Sequence, residues 1–244
     1  LSVFLDDVLV KDLNDNDLAN TSVMRTKLNL RDALEGNIHL ENVVLSNVKA
    51  NLIKYEGEER FNFAYLVDAF SADSIKSDKG PICIVVDKID VKNLHFVYWN
   101  QNKDHPEKTE RHVMDYAHLA LDGINFKAED FYLYGDSIRA KILSFEGKDV
   151  SGLNVKRLKT DAVVCSKGVF LDGLKVELND TRIDADVHML YNDYTAFRRF
   201  VDSVTFDAKI RSSEIMLSNI GVFSEIMYKM PNHIRFNGNL TGPI

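Results

Sequence analysis

The stretch Ile89-Asp90-Val91-Lys92-Asn93-Leu94-His95-Phe96-Val97-Tyr98 carries apolar side chains at 89, 91, 94, 96 and 98. Successive side chains of a β-strand point to opposite faces, so steps of two keep these residues on one face. The single step of three, from 91 to 94, would place Leu94 on the opposite face unless a bulge accommodates one extra residue. Asn tolerates the positive φ of a bulge or tight turn. We therefore predict that Asn93 absorbs the extra residue and that the apolar side chains stay on one face.

The same pattern, apolar-x-apolar-x-(Asn or Gly)-apolar, returns along the chain. It occurs at 38–43, 43–48, 119–124, 169–174 and 215–220. The Asp-Gly pairs at 122–123 and 172–173 are equally typical of two-residue hairpin turns. Both interpretations predict a mainly β chain with very short links between strands. An ordinary antiparallel sandwich uses the same devices, so the pattern leaves sandwich and open groove as alternatives.

Helical spacing is confined to a few short stretches. Residues 60–71 place Phe63, Leu66, Val67 and Phe70 on one face, with Asn62 as a candidate N-cap. Further short amphipathic helices are predicted at 30–36, 192–204 and 222–229. The polar stretches 71–81 and 100–112 are predicted surface loops, and we treat 1–244 as one β-rich segment with soft joints there.

Composition excludes several classes of partner. The net charge is −7, the two cysteines form no CxxC motif, and no apolar run approaches 18 residues. An acidic chain without a basic stripe is not expected to bind nucleic acid or an anionic membrane surface. Cys83 and Cys165 are expected to be small buried hydrophobes, or one disulfide in an oxidising compartment. Both termini fall within patterned sequence, so we expect a piece of a longer protein.

Candidate metal ligands do not match a known spacing. In the stretch 12–17, a calcium loop starting at Asp12 has Asp17 where Gly is required and Val23 where Glu is required. This stretch is therefore predicted to be a turn. His105, His112 and His118 follow no zinc motif. Residues 184–188 place Asp184, Asp186 and His188 on one strand face, which is predicted to be a solvated polar face. We predict no metal site and no cofactor.

Catalytic motifs are also missing from the sequence. It contains no Gly-rich phosphate loop, no GxSxG elbow and no Cys-His arrangement. Acidic pairs such as Asp6-Asp7 support acid–base chemistry only if the fold brings them into a cleft. The chain is therefore predicted not to be an enzyme.

A series of stretches across the chain resembles the N-terminal part of the TamB-like translocation and assembly module proteins, in the long form of some Gram-negative bacteria. They are 3–18, 38–52, 61–70, 149–158, 190–200, 212–227 and 234–244. The resemblance implies the repeating β-groove shared with AsmA-like and bridge-like lipid transfer proteins, which is an elongated curled antiparallel sheet. It also implies a periplasmic segment whose parent is anchored in the inner membrane by an N-terminal helix.

The resemblance further implies partners. They are phospholipid acyl chains in the groove and, through parts outside this sequence, the outer-membrane barrel-assembly machinery. The implied function is phospholipid transport, outer-membrane protein assembly, or both. Helices at 62–71 and 193–204 would plug or brace the groove. The large apolar residues that follow the kinks are the candidate lining: Leu94, Phe96, Tyr98, Ile124, Phe126 and Val176.

A secreted β-sandwich that binds glycans is the alternative function. Its candidate aromatic platform consists of Tyr98 and Trp99, in the stretch Phe96-Val97-Tyr98-Trp99-Asn100. Such a platform requires both rings on one exposed surface.

Overall fold

The computed structural model describes residues 1–34, 37–66, 68, 83–105, 113–193, 203–223 and 225–243. Strands dominate these residues, which confirms the prediction of a mainly β chain. The strands are β1 (Ser2–Lys11), β2 (Asp17–Leu28), β3 (Ile38–Lys54), β4 (Cys83–Asn100), β5 (His118–Tyr134), β6 (Ser137–Asp149), β7 (Asn154–Cys165), β8 (Gly168–Glu177), β9 (Arg182–Leu190), β10 (Thr205–Met216) and β11 (His233–Pro243). Short helices are α1 (Leu30–Leu34) and α2 (Glu225–Tyr228), with 3₁₀ turns at Leu217–Asn219 and Gly221–Phe223.

All eleven strands belong to one curled sheet, in which they follow one another in sequence order from β1 to β11. A sandwich requires two facing sheets, so the sandwich alternative is wrong. Neighbouring strands are antiparallel except β3 and β4, which run parallel. The sheet is therefore mixed where the sequence predicted an antiparallel one. Parallel neighbours need a long connection from one end of the sheet to the other, and residues 55–82 supply it.

Bulges lie where the two-then-three spacing predicted them. Asn47, Asn93, Gly123 and Gly173 have φ values of 52°, 54°, 61° and 58°. The ladder register shifts beside three of these residues, between Val91 and Leu94, Asp122 and Asn125, and Leu171 and Leu174. The Asp-Gly pairs lie within β5 and β8, so they form bulges and not hairpin turns.

One predicted bulge does not form, and others went unpredicted. Asn219 closes a 3₁₀ turn. At Asn42 the β2–β3 register shifts, from the pair Lys27–Asn42 to the pair Leu28–Leu40, but Asn42 has no positive φ. Asp7 and Asp130 adopt positive φ values of 51° and 54°. Asp visits the left-handed region more readily than most residues, because its short polar side chain bonds locally.

Several bulges line up across neighbouring strands. Val8, Val48, Leu94 and Ile124 each directly follow a residue with positive φ. These four and Thr21 form one cross-strand row: Val8, Thr21, Val48, Leu94 and Ile124. A bulge bends its strand and increases the local twist. Because the bends are aligned, they add up, and the sheet curves about this row.

Polar side chains link the bulges across neighbouring strands. Asn93 Nδ2 donates to Asn47 Oδ1 at 2.9 Å, and Asn47 Nδ2 donates to Ser22 Oγ at 3.1 Å. Asn125 Oδ1 accepts from the backbone N–H of Asn93 at 3.0 Å, and its Nδ2 donates to Glu146 Oε1 at 2.6 Å. An Asn at a bulge therefore adopts the positive φ that the bulge requires, and its side chain forms hydrogen bonds to the neighbouring strands.

The predicted helices are seen only in part. Helix α1 lies within the predicted 30–36. The second 3₁₀ turn, at 221–223, and α2, at 225–228, correspond to the predicted 222–229. In the predicted helix over 60–71, residues 64–66 and 68 are helical, and the rest of its second half lies outside the described residues. Most of 192–204, all of 71–81 and the second half of 100–112 also lie outside them. Asn62 is not an N-cap: its Oδ1 accepts from the Ile53 N–H and its Nδ2 donates to Asn51 O.

Candidate binding trough

One face of the sheet is apolar from strand to strand. Residues paired across a sheet point to the same side, so the ladder register identifies each face. A single cross-strand row runs through nine strands, from β1 to β9, and every member is a large apolar residue: Leu5, Met24, Leu45, Val91, Phe126, Phe145, Leu158, Val176 and Ile183. We call this side of the sheet the apolar face.

The opposite face is polar. Lys127, next to Phe126 in β5, lies 3.8 Å from Asp90 of β4. Arg211 of β10 binds Asp184 at 2.6 Å and Asp186 at 2.5 Å, both of β9. The sheet therefore has one side suited to water and one side suited to apolar contacts.

The apolar face is only half covered. Ile124 and Val91 are buried, but Leu45, Phe126, Leu158, Val176 and Ile183 all keep intermediate exposure. All eleven strands belong to the same sheet, so no second sheet among the described residues packs on this face. The curled sheet and its half-exposed apolar face form an open trough.

Connecting segments cover part of the trough. The Phe61 ring lies 4.9 Å from the Tyr98 ring, measured between centroids, so the connection from β3 to β4 packs on the apolar face. Asn62 fastens this segment to β3 through its side chain. Near the opposite ends of the strands, Tyr191 and Val204 pack against apolar residues of three strands: Val169, Met189 and Phe206.

All six residues proposed as the lining lie on the apolar face. Leu94 pairs with Ile124, and Phe96 and Tyr98 follow Leu94 at steps of two along β4. Phe126 and Val176 are members of the nine-strand row. Their contact with a lipid remains a prediction.

Tyr98 and Trp99 do not form one platform. The Tyr98 ring packs on Phe61, on the apolar face. The Trp99 ring lies 4.5 Å from His105 and 4.4 Å from His118, on the other side of the strand. Adjacent residues of a strand point to opposite faces, so the structure gives no flat aromatic surface for a glycan at this position.

The stretch at 12–17 is a turn, as predicted. Asp12 Oδ1 accepts from the backbone N–H groups of Asn14 at 2.9 Å and Asn16 at 3.0 Å. Its Oδ2 accepts from the Tyr55 hydroxyl at 2.5 Å and from Asn62 Nδ2 at 3.2 Å. The Asp12 carboxylate therefore ties the first hairpin to the connection after β3.

Asp184, Asp186 and His188 each contact a neighbouring residue on the polar face. Arg211 bridges Asp184 and Asp186, and the backbone N–H of Gly173 donates to Asp186 Oδ1 at 2.8 Å. These hydrogen bonds, chiefly those from Arg211, lower the pKa of Asp186 to about 2. His188 lies 2.9 Å from Asp172. The cysteines predicted to be buried or paired are both half-buried, and they form no disulfide with each other.

Together, fold and trough define a class: a single open, two-faced β-sheet whose apolar side is available to a ligand. No family model, curated protein or solved structure matches this chain. Among the described residues, no helix has both the length and the apolar character that a membrane crossing requires.

Proposed function

We propose that this chain is a non-enzymatic lipid-binding segment, and that its trough holds phospholipid acyl chains. One observation carries the proposal: nine adjacent strands each present a large apolar side chain in a single row, and that row keeps partial exposure to solvent. Large contiguous apolar surfaces exposed to water generally mark a site of interaction.

The energetics favour an acyl chain as the occupant. Burying one CH₂ group stabilises by ~0.8 kcal/mol, so an acyl chain leaving water gains on the order of 10 kcal/mol. Side chains of similar size repeat at the strand spacing of ~4.8 Å along the row. A lipid therefore finds a similar environment at each strand and can move along the trough without meeting a deep minimum.

The resemblance to the TamB and AsmA-like proteins suggests the biological setting. In that setting the chain belongs to a periplasmic bridge, anchored in the inner membrane by its parent protein. The trough then carries phospholipid toward the outer membrane, and other parts of the parent meet the outer-membrane barrel-assembly machinery. The open curled sheet with one apolar face supports this proposal.

Assistance to outer-membrane protein assembly is the second candidate, and the edge strands favour it. Both β1 and β11 lie at edges of the sheet, where unpaired backbone groups can pair with another strand. Five large apolar side chains are exposed on them: Phe4, Leu5, Leu9, Ile234 and Leu240. In this role an unfolded outer-membrane protein pairs with an edge strand of the sheet and does not lie in the trough.

Photocrosslinking from neighbouring residues of β5 tests the proposal. A benzophenone amino acid replaces Phe126, on the apolar face, or Lys127, on the polar face. The purified protein is irradiated with phosphatidylethanolamine vesicles, and adducts are identified by mass spectrometry. We expect lipid adducts at position 126 in at least tenfold excess over position 127. Equal yields at the two positions, or no adduct at 126, would contradict lipid binding in the trough.

The same experiment separates the two candidates. Adding an unfolded outer-membrane protein to a variant with the crosslinker at Phe4, an exposed residue of edge strand β1, tests strand addition. Protein adducts at Phe4 without lipid adducts at Phe126 would favour the assembly role.

A further inference from the structure

The corner between β4 and β5 brings two imidazoles and one carboxylate together. His105 and Asp115 belong to the connection, and His118 is the first residue of β5. Asp115 Oδ2 lies 2.8 Å from His118 Nδ1 and 3.2 Å from His105 Nδ1. One ligand atom from each side chain lies within 4.8 Å of the other two. Three groups that bind cations therefore converge on one point, away from the trough.

Hydrogen bonds from outside the cluster fix its orientation. His118 Nε2 lies 3.0 Å from the carbonyl oxygen of Asn100, which can only accept, so Nε2 carries the proton. Asp115 Oδ1 accepts from the backbone N–H of Ala117 at 3.0 Å. His118 Nδ1 therefore faces Asp115 Oδ2, and both atoms can be directed at one ion. In metal sites, hydrogen bonds of this kind orient the ligand side chains.

The spacing is close to that of a bound metal ion. Zinc takes nitrogen and oxygen ligands at ~2.0–2.2 Å, which places tetrahedral ligand atoms about 3.3 Å apart. The 3.2 Å contact from His105 already matches, and the 2.8 Å contact from His118 must open slightly. His105 and Asp115 keep partial exposure, so the adjustment falls on these two side chains.

Burial provides both a dry site and an entrance. The His118 side chain is 1% exposed, Asp115 18% and His105 28%, so solvent reaches the cluster from the His105 side. A carboxylate ligand must be deprotonated, which is the ordinary state of an Asp side chain at neutral pH.

We propose that His105, Asp115 and His118 bind one divalent cation of the zinc class. Two imidazoles with one carboxylate suit zinc and its neighbours better than calcium or magnesium, which prefer oxygen ligands alone. Three protein ligands leave a fourth position for water. The ion joins the connection after β4 to the first residue of β5, and so orders this corner of the sheet.

Trp99 makes the site directly measurable. It is the only tryptophan of the chain, and its ring lies 4.5 Å from the His105 ring and 4.4 Å from the His118 ring. An open-shell ion such as Co²⁺ bound there quenches tryptophan fluorescence by contact. Zn²⁺ has a filled d shell, so it displaces Co²⁺ without quenching.

The test is a Co²⁺ titration of the metal-free protein, followed by Zn²⁺. We expect quenching that saturates at one Co²⁺ per chain and is reversed by Zn²⁺. Asp115→Asn and His105→Ala are expected to weaken Co²⁺ binding at least tenfold. His188→Ala, which removes a histidine from another His–Asp pair on the polar face, is expected to leave it unchanged. Quenching that fails to saturate, or that is equal in all four proteins, would overturn the proposal.

A second measurement does not depend on the variants. In the unsubstituted protein, excess Zn²⁺ is expected to raise the thermal unfolding midpoint, and EDTA is expected to reverse the rise. Mg²⁺ at the same concentration is expected to have no effect. An unchanged midpoint with Zn²⁺ would overturn the site even if a variant failed to fold.

Discussion

The hydroxyl of Thr160 donates a 2.9 Å hydrogen bond to the carbonyl oxygen of Asp172, the residue that precedes the bulge at Gly173. Thr160 is almost fully buried. A bulge disrupts the ladder locally, and the hydroxyl supplies a donor there. Thr21 repeats the arrangement, because its hydroxyl lies 2.9 Å from the carbonyl oxygen of Ser46, just before Asn47. Buried threonines in this sheet are therefore structural partners of the bulges.

Replacing Thr160 by Val tests this role. Val keeps the shape of Thr but leaves the Asp172 carbonyl without the hydroxyl, so the free energy of unfolding should fall by about 1–2 kcal/mol. Thr205→Val, at an exposed position of β10, is the matched control and should change it little. Urea unfolding followed by circular dichroism measures both, and equal losses would contradict the role.

Gly173 tests the backbone conformation of a bulge. Its φ is +58° and a Cβ there would meet no atom within 4 Å, so any cost of a side chain is conformational. Gly173→Val should lower the free energy of unfolding by about 1–2 kcal/mol, and Gly173→Asn by clearly less. The two variants differ in their tolerance of positive φ. Equal unfolding midpoints in urea would show that the bulge does not constrain this residue.

Arg211 gives a prediction about pH. Asp186 has a pKa of about 2 in the folded protein, below the ordinary value of 3.8, chiefly because Arg211 binds it. Its contribution to stability is therefore present above pH 3.8 and is lost as the pH falls toward 2. Arg211→Gln should lower the free energy of unfolding at pH 7 and change it little at pH 2. Urea unfolding across this range measures the difference, and a cost independent of pH would exclude the ion pair as its cause.

A substitution at Asp12 tests the turn at 12–17, between β1 and β2. Asp12→Ala removes the acceptor for two backbone N–H groups and for Tyr55 and Asn62, so we expect a loss of about 2 kcal/mol in the free energy of unfolding. Asn14→Ala, at an exposed position of the same turn, is the control. Added Ca²⁺ should leave the unfolding midpoint of the metal-free, unsubstituted protein unchanged, since the corner is a turn. A rise with Ca²⁺ would reopen the calcium reading.

Much of the trough was predictable because it follows from local stereochemistry. The two-then-three spacing at 43–48, 89–94, 119–124 and 169–174 located four bulges, and hence the residues that share a face. The same rule missed Asp7 and Asp130, because only Asn and Gly were expected to absorb a residue. It also overcounted at Asn219, which closes a 3₁₀ turn. Local spacing therefore locates many bulges of this sheet, but not all of them.

By itself the sequence determined which side chains of each strand lie together, since alternation and tolerance of positive φ belong to a few consecutive residues. Only the tertiary structure decided that eleven strands form one sheet, that β3 and β4 run parallel, and that the apolar face is only partly covered. It also decided that His105, Asp115 and His118 meet beside Trp99. Such contacts depend on register between strands, and register is set by packing and pairing across the whole sheet.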